Sequence, residues 1–274
     1  MKSEINHLFY PKFGNLKLLH KSMFGLSSSF ALSPINWLVI FVCAMLIGMS
    51  KTGVPGVSMI VVPALAFIFG GKQSTGILLP ILITADIFAV IYYHRHANWK
   101  HLLRALPWAF SGLILALWIG NEVNDVQFKR MIAIIVFVSI SLMIWKDYGY
   151  KKEFTPDRWW FAALLGITGG FATMIGNVAG PIFAIYLLAM HLDKKSYIGT
   201  TAWFFFIVNL TKFPLQVLVW KNITLTSLSV DLMVIPAIAI GAWLGIFAVK
   251  RIPEITYKWL VVVITVVSAF LIFI

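Results

Sequence analysis

The stretch Gly48-Met49-Ser50-Lys51-Thr52-Gly53-Val54-Pro55-Gly56 interrupts an apolar segment that extends from residue 35 to residue 70. Glycine and proline disfavour a continuous helix, whereas the apolar residues on both sides favour one. The pattern therefore predicts a broken helix. A new helix starting near Pro55 would offer free N–H groups to an anion, and Lys51 would add a full positive charge. The alternative is a tight turn at a membrane surface, with Lys51 among lipid headgroups.

The composition shows that the surroundings of this break are largely lipid. Of the 274 residues, 60% are apolar or aromatic and only 12% are charged. Soluble domains have about 25% charged residues. This excludes a soluble enzyme and a disordered chain, and the single cysteine excludes an internal disulfide. Because the long apolar runs lack the alternation of a membrane barrel, we predict an all-α polytopic membrane protein.

The chain divides into ten apolar segments with short polar connections. They lie near residues 35–50, 54–70, 75–93, 104–120, 129–145, 158–175, 178–191, 197–220, 229–249 and 256–274. The longest polar connection falls near the middle. We therefore predict a basic N-terminal tail (1–34), a first membrane repeat (35–146), a linker (147–157) and a second membrane repeat (158–274). The short pairs at the start of each half could cross the membrane fully, or enter it and turn back.

The two halves resemble each other. The matching residues keep their order along the chain: Gly48 and Gly166, Pro63 and Pro181, Asp86 and Asn209, Pro107 and Pro236, Gly112 and Gly241. Five segments in each half is an odd number, so the second half would be inverted with respect to the first, as in many secondary transporters.

The distribution of basic residues predicts the orientation. Most lysines and arginines of the connections fall on one side, in the loops around Lys51, Arg95, Lys146, Lys194 and Lys250. Loops of this kind face the cytoplasm. The four lysines of the tail fall on the other side and oppose the assignment.

A second broken helix is predicted around residues 166–181, which combine glycines with Thr168, Thr173 and Asn177. Two broken helices at matching positions of two halves indicate a transporter's binding site. Asn177 and Gly180 are the candidates here. The alternative is close helix packing through the glycine pairs Gly166/Gly170 and Gly176/Gly180.

Polar residues inside apolar helices supply the other candidates. Asp86 could carry protons, or could form a structural hydrogen bond to a broken helix. Lys212 could face a central cavity, or could extend to the interface beside Pro214. Thr200, Thr201 and Trp203 could donate hydrogen bonds to an anion, or could serve helix packing and interfacial anchoring.

Several classes of function lack support in the sequence. No nucleophile, acid–base or zinc motif of an enzyme is present, so we expect no enzymatic activity. The pattern at His94 and His96 lacks a neighbouring carboxylate or cysteine, so we expect no metal and no other cofactor. A soluble basic face for nucleic acid is not visible, so we expect no nucleic-acid partner.

The blocks Gly48-x2-Lys51-Thr52-Gly53-x2-Gly56, Lys72-Gln73-Ser74-Thr75-Gly76 and Tyr93-x-Arg95-x3-Trp99-Lys100, with Pro63 and Asp86 between them, resemble the first half of the sulfite exporter TauE/SafE family. The second half is similar through Gly169-Gly170, Asn177, Gly180-Pro181 and Pro236-x4-Gly241. The resemblance covers residues 36–274. It implies a carrier in the bacterial cytoplasmic (inner) membrane, with two related halves, that exports a small sulfur-containing anion such as sulfite or an organosulfonate.

We therefore predict a secondary transporter that works by alternating access, with lipid and a small anion as its partners. The predicted substrate site contains Lys51, Thr52, Gly53, Gly56, Asn177, Gly180, Thr200, Thr201, Trp203 and Lys212, and Asp86 is the predicted proton-coupling residue. The alternatives are an importer or channel for another small anion, and a non-transport membrane scaffold. The sequence leaves open whether the chain forms a homo-oligomer.

Overall fold

A computed structural model describes residues 32–54, 57–124 and 159–253, with isolated positions between 126 and 134 and between 256 and 263. The chain separates into two packing units, residues 1–37 and 38–274. In the described part of the first unit, the Asn36 N–H donates to Ser33 Oγ at 3.2 Å where a helix begins. The helix bundle and the contacts that hold it together belong to the second unit. The predicted tail and linker lie outside the described residues.

The described residues are mainly helical. The helices are α1 (Pro34–Thr52), α2 (Val61–Phe69), α3 (Gly71–Tyr93), α4 (Trp99–Glu122), α5 (Trp159–Gly176), α6 (Gly180–Ala189), α7 (Lys194–Leu215) and α8 (Leu225–Arg251). Single 3-10 turns lie at Val57–Met59 and His94–His96, and a π-helical turn at Gln216–Trp220 follows α7.

Six helices in the described part of the chain, all except α2 and α6, are long and apolar enough to cross a membrane. The predicted class, an all-α polytopic membrane protein, is confirmed. The predicted segments at 129–145 and 256–274 lie mostly outside the described residues.

Hydrogen bonds among helix ends and their connections define the two ends of the helix bundle. At one end, Lys72 Nζ donates to Gly120 O at 3.1 Å, and Gln73 Nε2 donates to Asn222 O at 3.2 Å. These bonds join the start of α3, the end of α4 and the connection from α7 to α8, and we call this end the Lys72 end.

At the other end, the Asn98 N–H donates to Thr200 Oγ1 at 2.8 Å, and Lys194 Nζ donates to Val249 O at 2.9 Å. Here the connection from α3 to α4, the start of α7 and the end of α8 meet. We call it the basic end because five basic side chains are exposed there: Arg95, Lys100, Lys195, Lys250 and Arg251.

The two short helices, α2 and α6, each lead the chain back to the end of the bundle from which the preceding helix entered. Helices α2 and α6 have nine and ten residues, and at a rise of 1.5 Å each reaches about 15 Å, half of a hydrocarbon core of about 30 Å. Helix α2 leads directly into α3 at the Lys72 end, and α6 leads into α7 at the basic end. The α1–α2 and α5–α6 pairs are therefore hairpins that enter the bundle from opposite ends.

Close glycine contacts pack each hairpin on the other half of the chain. A Cβ at Gly48 of α1 would overlap the Ile238 carbonyl oxygen of α8, and a Cβ at Gly170 of α5 would overlap the Ala109 carbonyl oxygen of α4. The matching glycines Gly112 and Gly241 make the reciprocal contacts, with α5 and α1. These contacts support the predicted repeat, whose inverted relation stays a prediction.

One boundary prediction is wrong. The helix after the first break begins at Val61 rather than near Pro55, because residues Val57–Met59 first form a 3-10 turn. This turn is tied back to α1, since Ser50 Oγ donates to Ser58 Oγ at 3.1 Å. The break is therefore longer than the proline position indicated.

Candidate functional site

A cavity lies where both hairpin breaks approach the centre of α7. Its lining comes from the end of α1, the following turn, α3, the α5–α6 break, α6 and α7, and combines polar with apolar side chains. We call the part lined by Thr173, Asn177 and Asn209 the base of the cavity. The lining residues are Ser50, Lys51, Ser58, Leu82, Thr173, Asn177, Gly180, Ala184, Tyr197, Thr201, Phe205 and Asn209. Four of the predicted site residues, Lys51, Asn177, Gly180 and Thr201, are thus brought to one cavity.

An ion pair fixes the Lys51 side chain in the cavity wall. Lys51 Nζ lies 2.9 Å from Asp86 Oδ1; the lysine side chain is 10% exposed and the aspartate side chain is fully buried. The same amine lies 4.2 Å from the ring centroid of Phe205. Asp86 is also bound on its second oxygen, because Asn209 Nδ2 donates to Asp86 Oδ2 at 2.7 Å. A charge in the membrane interior is thus paired and hydrogen-bonded.

The Lys212 side chain lies behind the base of the cavity and is fully buried. Its amine donates to Thr173 Oγ1 at 3.1 Å, to Asn209 Oδ1 at 3.2 Å and to Asn177 Oδ1. These three acceptors all line the cavity. Lys212 therefore faces the bundle interior rather than the interface, and holds the α5–α6 break against α7.

The polar network contains two lysines and one carboxylate. Lys51, Asp86, Asn209 and Lys212 form one continuous chain of contacts across α1, α3 and α7. A site with more amines than carboxylates favours an anion electrostatically. Because Lys51 and Asp86 form an ion pair, the net charge of the network depends on the Lys212 amine.

The second break presents the start of a helix to the cavity. Helix α5 ends at Gly176, and Asn177 has the left-handed φ of 57° that ends many helices. Pro181 lies in the first turn of α6, where its missing N–H is not needed. Gly180 is exposed to the cavity, with open space where a side chain would extend. Backbone N–H groups and a positive dipole end at this position suit an anion.

Four predicted site residues have other contacts. The Thr52 hydroxyl lies within hydrogen-bond distance of two carbonyl oxygens, Gly48 O at 2.9 Å and Ala242 O at 2.8 Å, and the second contact joins α1 to α8. Gly53 packs against the Gly245 carbonyl of α8. Thr200 Oγ1 donates to Ser196 O at 2.6 Å and accepts from the Asn98 N–H at the basic end. The Trp203 ring packs against the tilted ring of Trp99, with ring centroids 5.2 Å apart.

Gly56 lies outside the described residues. The roles of all these residues in binding stay predictions.

Sequence reasoning missed two buried polar residues. Gln216 is fully buried, and neither atom of its side-chain amide has a partner in the described part of the chain. Asp231, in the second turn of α8, is also buried, and both of its carboxyl oxygens lack a partner in the described part of the chain. Gln216 could have been found by its spacing, since it falls four residues after Lys212 on a helix that extends to residue 215. Asp231 was hidden because it lies at the edge of an apolar run.

Metal binding finds no geometric support in the described residues, where no group of three or more His, Cys, Asp or Glu side chains could hold an ion.

A comparison of the sequence with known protein families identifies one family. Residues 40–272 match the family model described as Sulfite exporter TauE/SafE. Searches of curated proteins and of solved structures found no match. The matched range contains most of the first hairpin, all of the second, both lysines of the polar network and Asp86. The chain therefore belongs to the sulfite exporter TauE/SafE family.

Proposed function

We propose that this protein is a secondary transporter that binds a small anion in the cavity between its two hairpins. The observation that carries the proposal is the Lys51 amine in the cavity wall, with Lys212 behind the cavity base. The N-terminus of α6 adds backbone N–H groups to the same space, and the hydroxyl groups of Ser50 and Thr201 line it. Together these groups could replace the hydration shell of an oxyanion.

The proposed substrate is a small sulfur-containing anion, sulfite or an organosulfonate, and the proposed direction is export. Membership of the family supports this substrate class. The proposed mechanism is alternating access. It is supported by the two hairpins, which enter from opposite ends and meet at one site, so that movement of one half against the other could expose the cavity to either end.

The proposed location is the bacterial cytoplasmic membrane, with the basic end in the cytoplasm. Exposed Arg95, Lys100, Lys195, Lys250 and Arg251 at this end support the orientation. We propose a transport role without catalysis, because the described cavity brings together binding groups and no nucleophile with an adjacent base.

Proton coupling through Asp86 is a further part of the proposal. Protonation of Asp86 would end its attraction for Lys51, and the freed amine would then bind the anion. Coupling predicts that the Asp86→Asn variant loses the proton dependence of transport. Full proton dependence in that variant would limit Asp86 to a structural role.

A thermal-shift screen of the detergent-purified protein tests anion binding. The ligands are sulfite, sulfate, sulfoacetate and taurine, with acetate and glucose as controls. A ligand that binds only the folded state stabilises it by about 2.7 kcal/mol at 100 times its dissociation constant. We expect a selective shift with one sulfur oxyanion, which Lys51→Gln abolishes and Lys221→Gln, at an exposed position of the Lys72 end, preserves.

Flux into proteoliposomes separates the remaining alternatives. Saturation with substrate concentration supports a carrier over a channel, and net movement out of the cytoplasmic side supports an exporter over an importer. A protein that neither binds nor moves any of these anions would favour the scaffold interpretation and contradict the proposal.

A further inference from the structure

The polar lining of the cavity continues along α7 past Lys212. At 100° per residue, Thr201, Phe205, Asn209, Lys212 and Gln216 all fall within about 80° of one another around the helix axis. Thr201, Phe205 and Asn209 line the cavity, and Lys212 lies behind its base. Gln216 is therefore the next polar residue on the same face, one turn nearer to the Lys72 end.

The Gln216 side chain has a donor and an acceptor that the fold leaves unused. It is fully buried, and both Nε2 and Oε1 are without partners among the described residues. Most buried polar groups are hydrogen-bonded, and leaving one unpaired in a membrane interior destabilises the fold. The amide also begins a π-helical turn, Gln216–Trp220, a feature common at functional sites. This combination suggests that the amide hydrogen-bonds a ligand that is not part of the fold.

A hydrogen-bonded path connects the cavity base to this position. Asn177, in the cavity lining, donates from Nδ2 to Thr75 O at 3.3 Å. Thr75 Oγ1 in turn accepts from Asn222 Nδ2 at 3.1 Å, and the Asn222 N–H donates to Gln216 O at 3.2 Å. The Asn222 side chain holds a further free acceptor, Oδ1, among the described residues. Polar groups therefore reach from the cavity to the Lys72 end, whereas the cavity itself ends at Asn177 and Asn209.

We propose that Gln216 is a second substrate-binding residue, which hydrogen-bonds the anion on the Lys72 side of Lys212 during its passage. The proposal rests on the proposed anion transport. The amide Nε2 donates to an oxygen of the anion after the contacts between Lys212 and Asn177 have opened. While those contacts are closed, the anion does not reach Gln216, and the Nε2 donor of Gln216 has no partner.

The test separates binding at the cavity from passage beyond it. Sulfite affinity of the purified protein is measured by calorimetry, and flux by counterflow of radiolabelled sulfite in proteoliposomes. In Gln216→Leu we expect an affinity within about twofold of the wild type, and a flux reduced about tenfold, the loss expected for one charge-assisted hydrogen bond. Gln216→Glu should transport still less because its carboxylate repels the anion, and Gln216→Asn should keep part of the flux.

Gln73→Leu is the matched control. It also removes an amide at the Lys72 end, but this amide is bonded to Asn222 O and lies on α3. We expect Gln73→Leu to lower the unfolding temperature and keep most of the flux, and Gln216→Leu to keep or raise the unfolding temperature.

Wild-type flux in Gln216→Leu would overturn the inference, as would an equal loss of affinity and flux. A wild type that does not bind sulfite would contradict the proposed substrate itself, and the inference would fall with it.

Discussion

At the scale of single residues, the contact between Lys51 and Asp86 links stability to binding. Lys51→Ala would leave the fully buried Asp86 carboxylate without its ion-pair partner. Breaking such a pair costs about 3–5 kcal/mol. We therefore expect a markedly lower stability in this variant, measured by chemical denaturation in detergent, together with loss of the anion-induced thermal shift.

The double variant Lys51→Ala/Asp86→Asn separates the two effects. With the carboxylate replaced by a neutral amide, most of the lost stability should return, but the anion-induced shift should stay absent because the cation is gone. Recovery of both properties would show that Lys51 serves only to neutralise Asp86.

Residue identity could be predicted from sequence better than residue contacts. Asp86 and Lys212 could be singled out because a charge inside an apolar helix is costly and so needs a reason. That Asn209 bridges them could not be predicted, because the bridge depends on the packing of α3 against α7. Thr52 was assigned to the site from its position in the break, yet its hydroxyl is used by α8. Local sequence contains no information about such distant partners.

At the scale of helices, close glycine contacts set how the hairpins pack. A Cβ at Gly170 would overlap the backbone of α4, whereas a Cβ at Gly180 meets no atom within 4 Å. We expect Gly170→Ala to lower the unfolding temperature strongly and Gly180→Ala to leave it nearly unchanged. Similar losses in both variants would contradict this account of the packing.

The start of α7 depends on a side-chain cap. The Asp193 carboxylate accepts a hydrogen bond from the Ser196 N–H at 3.2 Å. Hydrogen bonding from Ser196 holds the pKa of Asp193 below its ordinary value of 3.8, against a smaller opposing effect of burial. Because the folded-state pKa is lowered, the stabilisation is complete above pH 3.8 and is lost as the pH falls through the folded value.

Asp193→Ala should cost about 1 kcal/mol at neutral pH, the usual effect of removing a cap. Asp193→Asn should keep the cap and lose its pH dependence. Unfolding temperatures of the three proteins between neutral and acidic pH give the comparison, and a wild type and Asn variant with the same acid profile would contradict it.

The helix breaks were predictable and their lengths were not. Glycine, proline and small polar residues marked both interruptions, and α6 begins at Gly180, within the predicted break around residues 166–181. The first break is longer because the turn at Val57–Met59 is bonded to Ser50 of the preceding helix. Proline shows where a helix can start, whereas the tertiary contacts determine where it does.

At the scale of the whole molecule, the two ends predict the orientation in the membrane. In a Cys43→Ser background, which removes the single cysteine, His96→Cys marks the basic end and Lys221→Cys the Lys72 end; both positions are exposed. An impermeant maleimide added to intact bacterial cells should label Lys221→Cys, and should label His96→Cys only after permeabilisation. The opposite labelling pattern would show that the basic end lies outside the cytoplasm and would contradict the predicted orientation.

The contact between Asp86 and Asn209 has a consequence for the symmetry of the molecule. The predicted repeat matches these two residues to each other, and their side chains meet at 2.7 Å. A two-fold axis that relates the halves would pass between Asp86 and Asn209. In a fully symmetric chain, the same residue type would stand at both positions and its two side chains would face each other. Two aspartates there would have to share a proton, since like charges this close do not both ionise. An amide on one side of the axis lets the carboxylate on the other side keep its charge for Lys51.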